Sequence, residues 1–270
     1  MEAIYSVPRG PQPINYYRST VNVGQKFRVG PHKKEAISMA RVRYHFSGRL
    51  RMHVYDGPTE KDKKLATIET LAPPKQSLIK RLFTVSGTRG GVPDDIDIIL
   101  FPDQAGCEIH PNKTQGPGER IQIRGRQFNF TVPVGNSSTN NNRRVEEFEW
   151  RWSDGSEVGH YTSRIPETSG RGWKLLRLDT EGQDGSMDGK ECVAAFARAN
   201  KTAGTKTHRY QLFNSGASGR LGGRFELYAY LTFLTVLDHE AREALVQAQA
   251  DAAAANAWMT SRNNRRHHSM

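Results

Sequence analysis

The chain has 270 residues and a formal net charge of +11, with 36% apolar and 25% charged residues. That length is ample for burying a core, and the apolar fraction is modest, so the composition excludes a membrane-embedded bundle and points to a loop-rich globular domain. Two cysteines, Cys107 and Cys192, exclude a disulfide framework; with no apolar run in residues 1–10 to serve as a secretory signal, the expected setting is intracellular and reducing, with the Asn-x-Ser/Thr triplets at Asn112, Asn129, Asn136 and Asn200 read as chance matches.

The positive charge is concentrated at the start. Residues 1–50 hold nine Lys/Arg against two Asp/Glu, whereas residues 51–200 are balanced. Residues 1–34 read as a partly ordered lead-in. From Arg41 to Phe213 the dominant apolar period is two, the signature of half-buried strands. The segment Arg41-Val-Arg-Tyr-His-Phe-Ser-Gly-Arg-Leu-Arg-Met-His-Val-Tyr55 carries two alternating runs around Ser47-Gly48. A three-residue loop, Ser47 to Arg49, would pair Tyr44 with Met52, Val42 with Val54, His45 with Arg51 and Arg43 with His53. One face is then apolar and the other basic.

Further strands are expected at Lys64–Thr70, Ile79–Ser86 and Ile96–Phe101, and around Ile121 and Ile123. Phe128, Phe130, Val132 and Val134 alternate with polar residues, as do Phe148, Trp150 and Trp152. Trp173–Leu178, Glu191–Ala197 and His208–Phe213 complete the set. Asp56-Gly57-Pro58, Gly135–Asn142 and Gly182–Gly189 punctuate it as turns.

The pattern breaks after Gly216–Gly223. Residues 224–257 contain neither proline nor glycine and are rich in Ala, Leu and Glu, which predicts a helix. From Leu227 to Leu237 apolar residues cover every side of the 3.6-residue period, so this part requires burial all round. The apolar stretch Phe225–Leu237 falls short of the ~20 residues that span a bilayer. It turns polar from Asp238. The expected organisation is a single domain over 35–245 with a central helix at about 224–245. A helix extension and a disordered basic tail follow over 246–270.

The expected fold is therefore mainly β: a closed antiparallel β-barrel around a buried hydrophobic C-terminal helix. The alternative is a β-sandwich with the helix wedged at an open end. Three segments add a resemblance: Phe148-Glu-Trp-Arg-Trp152 with Ser153–Val158, Gly172–Leu178, and Lys190–Phe196. Together they resemble a group of uncharacterised fungal proteins similar to the tubby C-terminal-like superfold, which includes phospholipid scramblases and LURP-one-related proteins. The resemblance implies a barrel threaded by a hydrophobic helix, and phosphoinositide binding by basic side chains; it assigns no binding residues here.

The sharpest candidate site is the basic face of the hairpin: Arg41, Arg43, His45, Arg49, Arg51 and His53. Like charges facing each other across a ladder are mildly unfavourable, so stacking them is consistent with an anion resting there. Protonatable histidines would add pH sensitivity. The same pattern also suits a solvated outer face whose charges are offset by acidic neighbours. His239-Glu-Ala-Arg-Glu243 lacks the second histidine of a zinc-protease helix and reads as a helix exit. Cys107-Glu-Ile-His110 and Asp94-Asp95-Ile-Asp97 read as strand or turn content, and the glycines at 216–223 lack the Lys-Ser/Thr of a phosphate loop. No catalytic motif, metal set or cofactor fingerprint is found.

The expectation is thus a non-enzymatic binding module without a cofactor, docking on anionic phospholipid, phosphoinositide or another phosphorylated ligand. The alternatives are a protein-interaction or scaffold domain and, without a recognisable motif, non-specific nucleic-acid binding.

Overall fold

The structure, a computed structural model, describes residues 13–18, 26–44, 50–70, 95–100, 120–124, 127–135, 144–154, 158, 168–180, 188–199 and 206–267. The described strands are β1 (Ile14–Arg18), β2 (Lys26–Gly30), β3 (Ser38–Tyr44), β4 (Leu50–Tyr55), β5 (Lys64–Thr70) and β6 (Asp95–Leu100). They continue as β7 (Arg120–Arg124), β8 (Gln127–Val134), β9 (Arg144–Ser153), β10 (Thr168–Arg177), β11 (Glu191–Ala199) and β12 (Lys206–Leu212). Two helices follow, α1 (Asn214–Ala217) and α2 (Gly222–His267). The expected strand at 79–86 lies outside the described residues.

The fold is mainly β. The strands form one antiparallel sheet in which each pairs with its neighbours in the chain, and β1 pairs with β2 on one side and β12 on the other. β1 and β2 thus extend the sheet into the segment read as a lead-in. Five-residue strands give alternation little length over which to show itself, and Tyr16 and Phe27 (ring centroids 4.8 Å apart) make their contact only across the ladder.

The hairpin register differs from the expected one by two residues. Val42 faces Met52, Arg41 faces His53 and Arg43 faces Arg51, leaving residues 45–49 as the connection. A slip of two preserves which face each side chain occupies, so apolar patterning cannot distinguish the two registers. Val42, Met52 and Val54 are buried together as expected.

The core between β8 and β11 is aromatic. Phe128 packs edge-on against Trp173 (5.2 Å), Trp150 against Phe196 (5.3 Å), and Phe130 stacks on Phe148 (5.7 Å). β11 is buried almost throughout, and α1 lies against it at Val193, whose carbonyl a side chain at Gly216 would strike. Cys192 is buried in this strand.

The chain divides into two compact units, Met1–Thr232 and Phe233–Met270. Within the first, the opening turns of α2 lie among the strands. Phe225 packs on Phe148 of β9 (4.8 Å), and Thr232 accepts a hydrogen bond from the Trp150 indole (2.9 Å). Tyr230, about 140° around the helix from Phe225 by the 3.6-residue turn, donates to Ser38 of β3 (2.9 Å). Ser38 in turn donates to the Tyr55 carbonyl (2.8 Å). Opposite sides of one helix thus meet two strands far apart in the sheet. Gly222, with φ of 83°, starts the helix against β8, where an added Cβ would sit 2.7 Å from the Gly135 carbonyl.

In the second unit α2 runs on to His267, so residues 261–267 are helical where a disordered tail was expected. The alanine-rich stretch at 252–255 propagates the helix, and no glycine or proline stops it. No described helix is long and apolar enough to cross a membrane.

A half-buried histidine is expected to make the first unit acid-sensitive. His208, opposite Tyr16, lies edge-on to Tyr16 (6.0 Å) and Phe196 (6.3 Å). Burial, with the nearby Arg198 charge, holds its pKa down to about 3. Between about pH 6.5 and that value the unfolded chain binds a proton that the native state does not. Stability is therefore complete above pH 6.5 and is lost on acidification, by up to about 1.4 kcal/mol per pH unit. His208→Gln is expected to flatten the difference between urea-unfolding free energies measured at pH 6 and pH 5.

Candidate functional site

The basic hairpin face is built by alternation. Arg41 and Arg43 on β3, and Arg51 and His53 on β4, point away from the buried Val42, Met52 and Val54. The sheet adds residues that the sequence reading left out. Lys26 stands opposite Arg41 on β2, and the outward Arg28 follows it; the β2–β3 turn presents His32, Lys33 and Lys34, all exposed. Because basic residues in residues 1–34 were assigned to a lead-in, the ladder that sets them beside the hairpin was not visible. His45 and Arg49 lie outside the described residues.

The face is not uniformly positive. Glu60, in the β4–β5 turn, pairs with Arg41 and with Lys26 (2.5 Å), and these cations, Lys26 first, hold its carboxyl below the usual range. The turn is set by Asp62, which accepts hydrogen bonds from the Thr59 amide (2.7 Å) and hydroxyl (2.8 Å). Glu69 on β5 faces Arg51 across the ladder and pairs with it at 2.6 Å. Such half-exposed pairs contribute only ~0–1 kcal/mol each, but they offset the charge of Arg41 and Arg51.

His53 is half-buried on this face. Its pKa is lowered by burial first, then by the charges of Lys64, Arg43 and Arg51, with Glu69 opposing. Its Nδ1 lies 3.0 Å from the Thr67 hydroxyl. Among the described residues, Arg28, Lys33, Lys34 and Arg43 are exposed and have no carboxylate within ion-pair distance. From Ser38 to Arg43 the strand covers roughly 17 Å at ~3.3 Å per residue, so the open charges lie along a stripe rather than at one point.

A second charged cluster lies where β9, β10 and β11 meet the start of the helices. Arg177 donates to both oxygens of the buried Glu146 (Nε at 2.5 Å, Nη2 at 2.7 Å) and to Glu191 (Nη1 at 3.1 Å). Those hydrogen bonds raise the guanidinium pKa further above its already high value. Glu191 also accepts the Ser215 amide at 2.9 Å. The period-two reading placed these residues on strands but had no means of bringing together side chains 31 and 14 positions apart.

Elsewhere, Cys107–His110 lies outside the described residues, and Asp95 and Asp97 fall on β6, where Asp97 faces Arg120. His239 is buried in α2. Compared with known proteins, the chain matches no family model, no curated protein and no solved structure.

Proposed function

We propose that this chain is a non-enzymatic binding domain that docks on anionic phospholipid, phosphoinositide included, through the outward face of β2–β4. Its sheet, in this reading, is a closed β-barrel of the tubby C-terminal-like kind around the first turns of α2. The placement is intracellular and peripheral at membranes. The observation that carries the docking is the stripe of exposed cations, Arg28, Lys33, Lys34 and Arg43, with no carboxylate partner among the described residues. Closure is supported by the pairing of β1 with both β2 and β12, and by a helix that is apolar all round and touches β3 on one side and β9 on another.

A Lys or Arg near an anionic membrane surface contributes about 1 kcal/mol. Four together amount to about 4 kcal/mol, or about a thousandfold in partitioning. Arg41 and Arg51 contribute less because Glu60 and Glu69 offset them. The test is flotation with vesicles of phosphatidylcholine alone or with phosphatidylserine or a phosphoinositide. Wild type is expected to float only with anionic vesicles, and less as salt rises. The Arg28→Ala/Lys33→Ala/Lys34→Ala/Arg43→Ala variant is expected to stay at the bottom while remaining folded. Flotation unchanged in that variant, or equal with neutral vesicles, sinks the proposal.

One observation favours a protein-interaction reading: Trp258 and Met259 are 62% and 59% exposed on the second unit's helix. Protein capture lost in Trp258→Ala, without any vesicle binding by wild type, would put that reading first.

A further inference from the structure

The first unit contains an open cleft of about 580 Å³ beside the entry of α2. It is lined by the end of β8 at Gly135, the start of β9 at Arg144, the end of β10 at Arg177, the start of β11 at Glu191, and the α1–α2 segment through Ser215 and Arg220. Its volume falls within the ~300–1,000 Å³ of small-molecule sites, so it exceeds what one inorganic anion fills.

The hydrogen bonding of the lining defines what it can accept. Arg177 spends its donors on Glu146 and Glu191, and the remaining Glu191 oxygen takes the Ser215 amide. The two buried carboxylates and the central guanidinium therefore form a closed floor that offers little to a cationic ligand. Three groups keep hydrogen-bonding capacity that the lining does not use. Arg220 is exposed and has no carboxylate within ion-pair distance among the described residues. Arg144, largely exposed, makes only long contacts, 3.5 Å to Glu146 and 3.6 Å to Asp179. The Ser215 hydroxyl is buried without a hydrogen-bond partner, although the residue lines the cleft. A buried hydroxyl without a partner is uncommon and needs an explanation. The preceding Asn214 holds an unusual positive φ of 45°, with its side-chain amide donating to the Cys192 carbonyl (2.9 Å). Asn214 thus takes a left-handed conformation that Asn tolerates, next to a serine that lines the cleft.

We infer that this cleft binds a small phosphomonoester, its phosphate held by Arg220, Arg144 and the Ser215 hydroxyl. Two guanidinium forks and a hydroxyl match a tetrahedral group with three terminal oxygens better than a planar carboxylate with two. The volume beyond the phosphate takes a polyol-sized remainder. This site is separate from the β2–β4 face and does not depend on lipid docking.

The experiment is titration calorimetry of the full chain with glycerol 3-phosphate, inorganic phosphate and acetate. Wild type is expected to bind glycerol 3-phosphate saturably, more tightly than phosphate and much more tightly than acetate. Arg220→Ala and Arg220→Gln are each expected to weaken binding about tenfold or more, and Ser215→Ala about fivefold, as for lost charge-assisted and neutral hydrogen bonds. Arg43→Ala is expected to bind as wild type does. Circular dichroism checks that the Arg220 variants, altered at an exposed position, keep the fold. No saturable binding by wild type, equal binding of acetate, or retention of affinity in a folded Arg220 variant would each overturn the inference.

Discussion

Leu231→Asp is expected to leave no folded first unit. Leu231 is fully buried and lies between Tyr230, which is anchored to Ser38 on β3, and Thr232, which receives the Trp150 indole from β9. These bonds pin the helix on both sides of Leu231, so it cannot readily shift to hydrate a carboxylate there. The substitution forfeits about 2–3 kcal/mol of apolar burial and leaves a buried, unpaired charge that costs several kcal/mol more. The sum is comparable with the 5–15 kcal/mol that holds a typical domain together. Circular dichroism and limited proteolysis report the outcome. Leu231→Met, which nearly conserves volume, is expected to cost less than about 1.5 kcal/mol and to fold. A soluble, protease-resistant Leu231→Asp protein would mean that the helix is not enclosed.

The second large effect concerns the buried charges at the ends of β9, β10 and β11. Arg177→Met is expected to destabilise the first unit by about 3–5 kcal/mol, because it leaves the buried Glu146 with only the long Arg144 contact and Glu191 with only the Ser215 amide. Glu146 is 2% and Glu191 5% exposed, so in the native packing both depend on protein donors. Adding Glu146→Gln and Glu191→Gln is expected to restore most of the loss, since neutral amides tolerate that environment better. The midpoint of urea unfolding distinguishes the cases. If the single variant and the triple variant unfold together, the loss comes from packing of the arginine stem rather than from stranded charge.

Different parts of the molecule were legible to different degrees, for reasons that lie in the residues. Strand β5 was expected at Lys64–Thr70 and stands at those residues, where Ala66 and Ile68 alternate with Thr67 and Glu69. Strand β10 begins five residues before the expected start at Trp173, since Thr168-Ser-Gly-Arg-Gly172 has no apolar face to announce it. On β3 and β4 the faces were readable and the register was not, as a shift of two leaves every face unchanged. The basic site was half legible for the same reason. Alternation placed Arg41, Arg43, Arg51 and His53 on one side, whereas Lys26 and Arg28 joined them only through a ladder between strands.

The local periods are legible in the chain: a long run of short strands, then a helix whose first turns are apolar on every side. Those follow from side-chain chemistry over a few neighbouring residues, and no long-range contact is needed to read them. Which strands are neighbours, and therefore which charges cancel, is set by the folded sheet. Glu60 folds back over Arg41, Glu69 lies across from Arg51, and Arg177 is clamped between Glu146 and Glu191. A charge's effect depends on distance and burial rather than on order in the chain. The same composition therefore yields an open cationic stripe on β2 and β3 and a saturated, buried ion cluster at the foot of the helix.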